Sequence, residues 1–372
     1  MNICLVTPMF PHDEEDYRAA FVLDFARALG ARGHSVVVHT PERTGPKVDL
    51  GVRVERFRWA GGRKAIARTR FWHPRDVYEL LSLRRHGPAT LRRVVQERRI
   101  DACLALWAIP SGIFAYESKK STGVPYSVWA LGSDIWTYGR MPVFRQMIRS
   151  VFAGAEHAFA DGFELARMVE KIAGRTCAFL PSARKLPPAS ADRHARAGGT
   201  TRFLFVGRFD TVKGVTSLIE AAALVRGRRN DFVLDIRGEG PLAQRFRSMA
   251  ESVADVVRVG GTVSRQEFAD VLAATDALVI PSEMESIPVV MSDALQKGVP
   301  VLVSDVGDMG YLVRTYGVGD VFAPGDAGGI AACLERFMDG DHSYGERIPK
   351  LIAEINIDRA ADIYLNALGR SR

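Results

Sequence analysis

The first forty or so residues constrain the fold more than any other stretch. Asn2 to Thr7 (N-I-C-L-V-T) is a short apolar run with the length of a buried strand. Tyr17 to Ala31 carries Ala20, Phe21, Leu23, Phe25, Ala28 and Leu29 close to the i, i+3, i+4 spacing of a helix. Gly33 and His34 punctuate, and Ser35 to Thr40 is a second strand-like run. Strand, helix and strand in this order form a βαβ unit, which requires a parallel sheet and a right-handed crossover.

The pattern loosens after Thr40 and recovers at Asp101 to Trp107 and Tyr126 to Leu131. A second series then begins. Phe203 to Gly207 predicts a strand ending in glycine, Thr216 to Val225 a helix, and Phe232 to Arg237 a strand. Gly238-Glu239-Gly240-Pro241 leads into a helix ending near Ser252, and Val256 to Val259, Ala277 to Pro281 and Val299 to Ser304 are further strands. Two α/β series in 372 residues imply two doubly wound domains. We place them at 1–183 and 200–355, with a linker over Phe179 to Gly199, where Pro181, Pro187, Pro188, Gly198 and Gly199 cluster. The last helical stretch, about 356–372, is expected to pack back on the first domain.

Charge and cysteines narrow the function classes. The net charge is +7, and Arg53 to Arg99 alone holds fourteen Arg or Lys against four acids. Interleaved with Phe57, Trp59, Phe71 and Trp72, this region suits an anionic membrane surface or a phosphorylated substrate, or simply the solvated faces of helices. No nucleic-acid recognition motif accompanies it. Cys4, Cys103, Cys177 and Cys333 lack C-x-x-C spacing, so they read as reduced thiols. No apolar stretch reaches the ~18 residues of a membrane span, and no secretory signal is visible. The expected location is the cytoplasm, with peripheral attachment to the inner face of the cell membrane through the basic region. Neither half carries G-x-G-x-x-G after its first strand, which argues against a nicotinamide dehydrogenase.

Ligands of open α/β sheets bind beyond the carboxyl ends of the strands. Four segments of the second half lie there. Gly207-Arg208-Phe209-Asp210-Thr211-Val212-Lys213-Gly214 joins a strand to a helix and supplies two cations for a diphosphate. Gly238 to Pro241 is a second such turn. Glu285 and Asp293 lie eight residues apart, about 12 Å at helical rise, a separation suited to the two ends of an elongated polyhydroxylated ligand. It is too wide for an acid and base sharing one bond. Ser304 to Gly310 is the fourth loop. No D-x-D motif or histidine cluster stands in a suitable loop, so no metal ligand is assigned.

In order and spacing these segments resemble the retaining glycosyltransferases of family 4, which have the two-domain GT-B fold. The resemblance covers nearly the whole chain and is strongest from Arg202 to Asp326. Its marks are Val206-Gly207-Arg208 with Lys213-Gly214, the G-x-G-P at Gly238 to Pro241, and Glu285-x7-Asp293 in place of E-x7-E. Pro324-Gly325-Asp326 and Arg32-Gly33-His34-Ser35-Val36 add to them. Three departures stand out. Asp293 replaces a glutamate, Leu131 occupies a position that often holds histidine, and Asp16-Tyr17-Arg18-Ala19-Ala20 replaces a Gly-Gly loop.

The resemblance implies two Rossmann-like domains facing across a cleft and transfer of a hexose from a UDP- or GDP-sugar to a hydroxyl acceptor, with retention. The acceptor class is a glycan or lipid-linked glycan. The donor is a substrate, no cofactor is expected, and no metal is required. Arg208 and Lys213 would stabilise the departing diphosphate and Glu285 would hold donor-sugar hydroxyls. Asp293 would hold the ribose, with Gly207, Gly238, Gly240, Ile287, Pro288 and Val289 lining the donor site. Pro288 brings no N–H to it. Arg18, Gly132, Ser133 and Asp134 would stand on the acceptor side, Asp134 as the polar group facing the cleft. The alternatives are a GT-B sugar-nucleotide epimerase and a non-catalytic nucleotide-sugar-binding partner protein.

Overall fold

The computed structural model describes residues 1–45, 48–61, 73–190, 199–340 and 344–370. Contacts divide the chain into two units, one of Met1–Ser182 with Ile357–Arg372 and one of Ala183–Asn356.

The first unit holds a seven-stranded sheet in the order β3-β2-β1-β4-β5-β6-β7. Its strands are β1 (Asn2–Val6), β2 (Ser35–Pro41), β3 (Arg53–Phe57), β4 (Ala102–Leu106), β5 (Tyr126–Ala130), β6 (Ala158–Ala160) and β7 (Ala178–Phe179). All neighbours pair parallel, with Ile3 opposite both Val36 and Ala102. β4 and β5 are buried at every residue, as strands covered by helices on both faces must be. The helices are α1 (Ala20–Ala31), α2 (Pro74–Glu97), α3 (Ile113–Thr122), α4 (Ser133–Trp136), α5 (Pro142–Gly154) and α6 (Phe163–Ala173). α1 starts three residues later than its apolar spacing predicts, and the basic region contains β3 and the 24-residue α2. Phe71 and Trp72 of that region lie outside the described residues.

The second unit repeats the plan with six parallel strands in the order β10-β9-β8-β11-β12-β13. They are β8 (Thr201–Val206), β9 (Phe232–Arg237), β10 (Val257–Gly260), β11 (Ala277–Ile280), β12 (Val301–Ser304) and β13 (Gly319–Phe322). The helices are α7 (Val215–Arg226), α8 (Ala243–Glu251), α9 (Arg265–Ala273), α10 (Val289–Gln296), α11 (Met309–Tyr316), α12 (Ala327–Asp339) and α13 (Ile348–Glu354). In each sheet the first strand sits centrally and the order reverses beside it, between β1 and β4 and between β8 and β11. These are the switch points where doubly wound sheets take their ligands.

Residues 183–190 belong to the second unit rather than hanging free as a linker. Ser190 N donates to Asp270 on α9 at 2.6 Å, Gln266 reaches Pro188 O at 3.0 Å, and Gln296 of α10 holds Arg184 O at 2.8 Å. After Asn356 the chain returns to the first unit as α14 (Ile357–Arg370).

Candidate active site

Four loops leave the carboxyl ends of β9, β8, β11 and β12, which are neighbours in the sheet. Backbone hydrogen bonds join three of them. Phe209 N donates to Glu239 O at 2.8 Å, Leu242 N to Phe209 O at 3.1 Å, and Glu283 N to Val212 O at 2.8 Å. The buried Phe209 ring anchors the first loop against Phe246 of α8.

Two glycines permit the close approach. Gly238 has a φ of 154°, and a Cβ there would run into the carbonyl oxygen of Gly207. Gly214, at φ 68°, would likewise meet the carbonyl of Pro281. Gly240 lies against the backbone of Phe209. Glycine in these turns is therefore a packing requirement before it is a ligand contact.

The approach of the loops after β8 and β11 brings Lys213 and Glu285 together across 72 residues of sequence. The Lys213 ammonium pairs with Glu285 Oε2, and both side chains are largely but not fully buried. Arg208, the other predicted cation, forks onto Asp210 Oδ2 through Nε and Nη2 and stays more than half exposed. Two cations, each paired with a carboxylate, thus stand over the switch point of the second sheet.

The segment after Glu285 turns inward. Ile287 is buried, so only its backbone is left to meet a ligand. Pro288 forms the N-cap of α10 with extended backbone and no side-chain cap, leaving Val289 as the first helical residue. The first N–H groups of such a helix have no intrahelical acceptor and favour an anion.

Asp293 lies one turn further on and is completely buried. Its oxygens are gripped by the Arg184 guanidinium, with Nε at 3.1 and 2.9 Å and Nη2 at 2.7 Å. Arg184 also sits over the Phe268 ring. The expected ribose ligand is therefore already engaged by a partner 109 residues away that no local pattern reveals.

In the first unit, Gly132 (φ 98°) closes β5 and Ser133 is exposed at the start of α4. Asp134 does not present a polar face outward. It is 1% exposed; Oδ2 accepts from Ala108 N at 2.6 Å and Oδ1 from Leu131 N at 3.3 Å. It ties the segment after β4 to the turn after β5, and its role in this structure is that of a loop anchor. Arg18 is bound to Asp16 in the loop after β1. His12 and Asp16 lie within the Pro8 to Arg18 stretch expected to border the acceptor, whereas sequence reasoning passed over Arg184, and Arg43 and Arg56 around Arg18.

Two family models match this chain: glycosyl transferases group 1 over residues 188–350 and a glycosyl transferase 4-like domain over residues 19–176. The chain belongs to the group 1 glycosyltransferases of GT-B fold. This glycosyltransferase is 23% identical to the GDP-mannose-dependent alpha-(1-6)-phosphatidylinositol monomannoside mannosyltransferase of Mycobacterium tuberculosis, over 99% of this chain and 92% of that one. Its fold is similar to sucrose-phosphate synthase of Thermosynechococcus elongatus, with a TM-score of 0.78 at 18% identity over 100% and 98% of the two chains. It is also similar to Anabaena HepE in complex with UDP, with a TM-score of 0.73 at 13% identity over the whole of both chains. Nucleotide-sugar glycosyl transfer is the activity class, and the donor loops of the second unit are its candidate centre.

Proposed function

We propose that this glycosyltransferase moves a hexose from a UDP- or GDP-sugar to a hydroxyl of a glycan or lipid-linked glycan, with retention and without a metal or cofactor. The observation that carries the reading is the Lys213–Glu285 pair set over the switch point of the second sheet. Breaking the anomeric bond leaves charge on a nucleoside diphosphate. Lys213, held by Glu285, and the first amides of α10 are preorganised donors for that charge, and Arg208 joins them by turning from Asp210 to the diphosphate. Glu285 holds Lys213 in place and accepts hydrogen bonds from donor-sugar hydroxyls. Gly207, Gly238 and Gly240 keep the loop backbones near the diphosphate, and the backbone at Ile287, Pro288 and Val289 borders the sugar. Asp293 serves the ribose together with Arg184, as a neutralised pair rather than a bare carboxylate. The first unit, through Arg18, Gly132 and Ser133, takes the acceptor.

Titration with UDP and with GDP, each with and without EDTA, tests the donor site. One nucleotide is expected to bind equally in both conditions, and Arg208→Ala/Lys213→Ala to weaken it at least tenfold. Proton NMR of the glycosylated product is expected to show the donor's anomeric configuration. Release of free nucleotide without acceptor glycosylation points to the epimerase alternative. Binding without turnover across an acceptor panel points to the non-catalytic one.

We further propose cytoplasmic placement with attachment to an anionic membrane surface through the basic region. No helix among the described residues is long and apolar enough to cross a membrane. α2 exposes Tyr78 and Leu81 at 66% and 61% beside Arg75, Arg84 and Arg85. Exposed apolar groups among cations suit an anionic lipid interface. Flotation with anionic vesicles, but not neutral ones, is the expected result, and flotation without anionic preference ends this reading.

A further inference from the structure

A second polar cluster lies at the carboxyl ends of β1, β2 and β3, three strands that stand side by side. His12, Asp16 and Arg18 come from the loop after β1, Arg43 from the residues just past β2, and Arg56 from the end of β3. Asp16 is the carboxylate that directly contacts the cations, and it is nearly used up. Its Oδ1 accepts from Arg18 N at 3.2 Å and Arg18 Nε at 2.8 Å, and its Oδ2 from His12 N at 3.3 Å. Arg43 Nη1 stands 3.7 Å from Oδ2, beyond hydrogen-bonding reach.

The remaining donors have few takers. Arg56 Nη2 donates to Pro11 O at 3.0 Å, but its Nη1 has no hydrogen-bond partner, nor has Arg43 Nη1. His12 is 5% exposed, and neither ring nitrogen is hydrogen-bonded. Buried N–H groups are ordinarily paired, so several together call for an acceptor. Three guanidinium charges against the one carboxylate they contact leave a surplus of two among the contacting groups, with Asp13 acting on Arg18 at longer range. Glu42 acts on Arg56 only at longer range and lies 3.7 Å from Arg58. Burial and then Arg18 hold Arg43 below its ordinary value, and burial and then Arg43 do the same to Arg56. The cluster is open on one side, since the Arg18 side chain is half exposed and that of Arg43 one-fifth exposed.

We propose that His12, Arg18, Arg43 and Arg56 form a phosphate-binding subsite in the first unit, which takes the phosphate of a phosphorylated acceptor. The inference rests on the reading of that unit as the acceptor side. A phosphate monoester carries close to two negative charges and acceptor oxygens on every side, matching the surplus and the scattered donors. A carboxylate offers one charge in one plane. Arginine forks favour oxyanions of this kind over a hydrated point charge such as chloride.

Calorimetric titration of the full chain with inorganic phosphate tests the subsite. Saturable binding is expected, weakened at least tenfold in Arg43→Gln/Arg56→Gln and retained in Arg208→Ala/Lys213→Ala. Loss in the second variant alone, no effect of the first, or no saturable binding by the native chain overturns the proposal. The first variant is also scanned calorimetrically with the nucleotide that the native chain binds, and a nucleotide-insensitive transition unchanged from the native chain shows that the first unit is folded. Should it fail to fold, Arg43→Lys/Arg56→Lys keeps the charges and loses the forks, and weaker phosphate binding is still expected. Failure of the native chain to bind UDP or GDP while phosphate still binds counts against the donor reading alone. Displacement of phosphate by soluble glucose phosphate, or by phosphatidylcholine vesicles containing phosphatidic acid but not by plain ones, tells a free sugar phosphate from a lipid phosphate monoester. Displacement by neither overturns the acceptor assignment.

Discussion

Burial pushes the Asp134 carboxyl up to about 6, against the opposing pull of backbone amides, of which Ala108 contributes the most. Its folded value lies above the unfolded one, about 3.9. The folded chain therefore keeps a proton that the unfolded chain releases between about pH 4 and pH 6. The stabilising contribution is complete below that window and lost as pH rises through it, on the order of 3 kcal/mol. His39 runs the other way. Burial lowers its imidazole to about 3, so its contribution is present above about pH 6.5 and is lost as pH falls. Between about pH 4 and pH 6 the two slopes oppose each other. In Asp134→Asn the His39 slope is expected to stand unmasked, so that stability of the first unit climbs with pH across the window. The variant also loses roughly 1–3 kcal/mol at all pH values, because one asparagine oxygen cannot serve the amides of both Ala108 and Leu131. Urea denaturation from pH 4 to pH 7 measures both effects. A variant whose pH slope matches the native chain shows that Asp134 is ionised throughout.

The same tension between local pattern and distant partner decides which elements can be read from the sequence. Central strands such as β4, β5, β11 and β12 are buried at every position, and their uninterrupted apolar runs are visible without a structure. β3 is an edge strand of sequence R-V-E-R-F, paired on one side only, and its charges hide it. α2 hides for a related reason. Its buried positions Leu83, Leu91, Val94 and Val95 are diluted by arginines and interrupted by Pro88. The late start of α1 follows from side chains that compete for backbone amides. Asp13 accepts from Glu15 N and Asp16 N, and Asp16 from Arg18 N and His12 N, which holds the loop in turns until Ala19. The donor loops were legible because glycine is the one residue their backbones admit at Gly214 and Gly238. The Arg184–Asp293 pair and the cluster around Asp16 were not legible. Their partners are joined only by the fold, and nothing in local composition distinguishes a buried arginine from a solvated one.

At the scale of the chain, the return of α14 to the first unit matters most for stability. Ile357, Ala360, Ala361, Tyr364 and Leu368 form its buried stripe, and Tyr364 is fully enclosed, with ring centroids 6.0 Å from both Phe25 and Phe159. Arg32, at the end of α1, fixes the same helix through Asp362 at 2.7 Å and Asp358 at 3.2 Å. The two units have separate hydrophobic cores, so two unfolding transitions are expected from the intact chain. Tyr364→Ala removes a large buried ring and is expected to cost the first unit about 3–5 kcal/mol. Tyr364→Phe separates packing from polarity. The phenolic oxygen is buried without a hydrogen-bond partner, so its removal is expected to be neutral or stabilising. Scanning calorimetry with the nucleotide that binds the second unit identifies the transitions, because a ligand raises only the one whose folded state it binds. In Tyr364→Ala the transition insensitive to nucleotide should fall while the other stays in place. If the two fall together, the last helix stabilises more than the first unit, and the chain must be treated as one cooperative body despite its two cores.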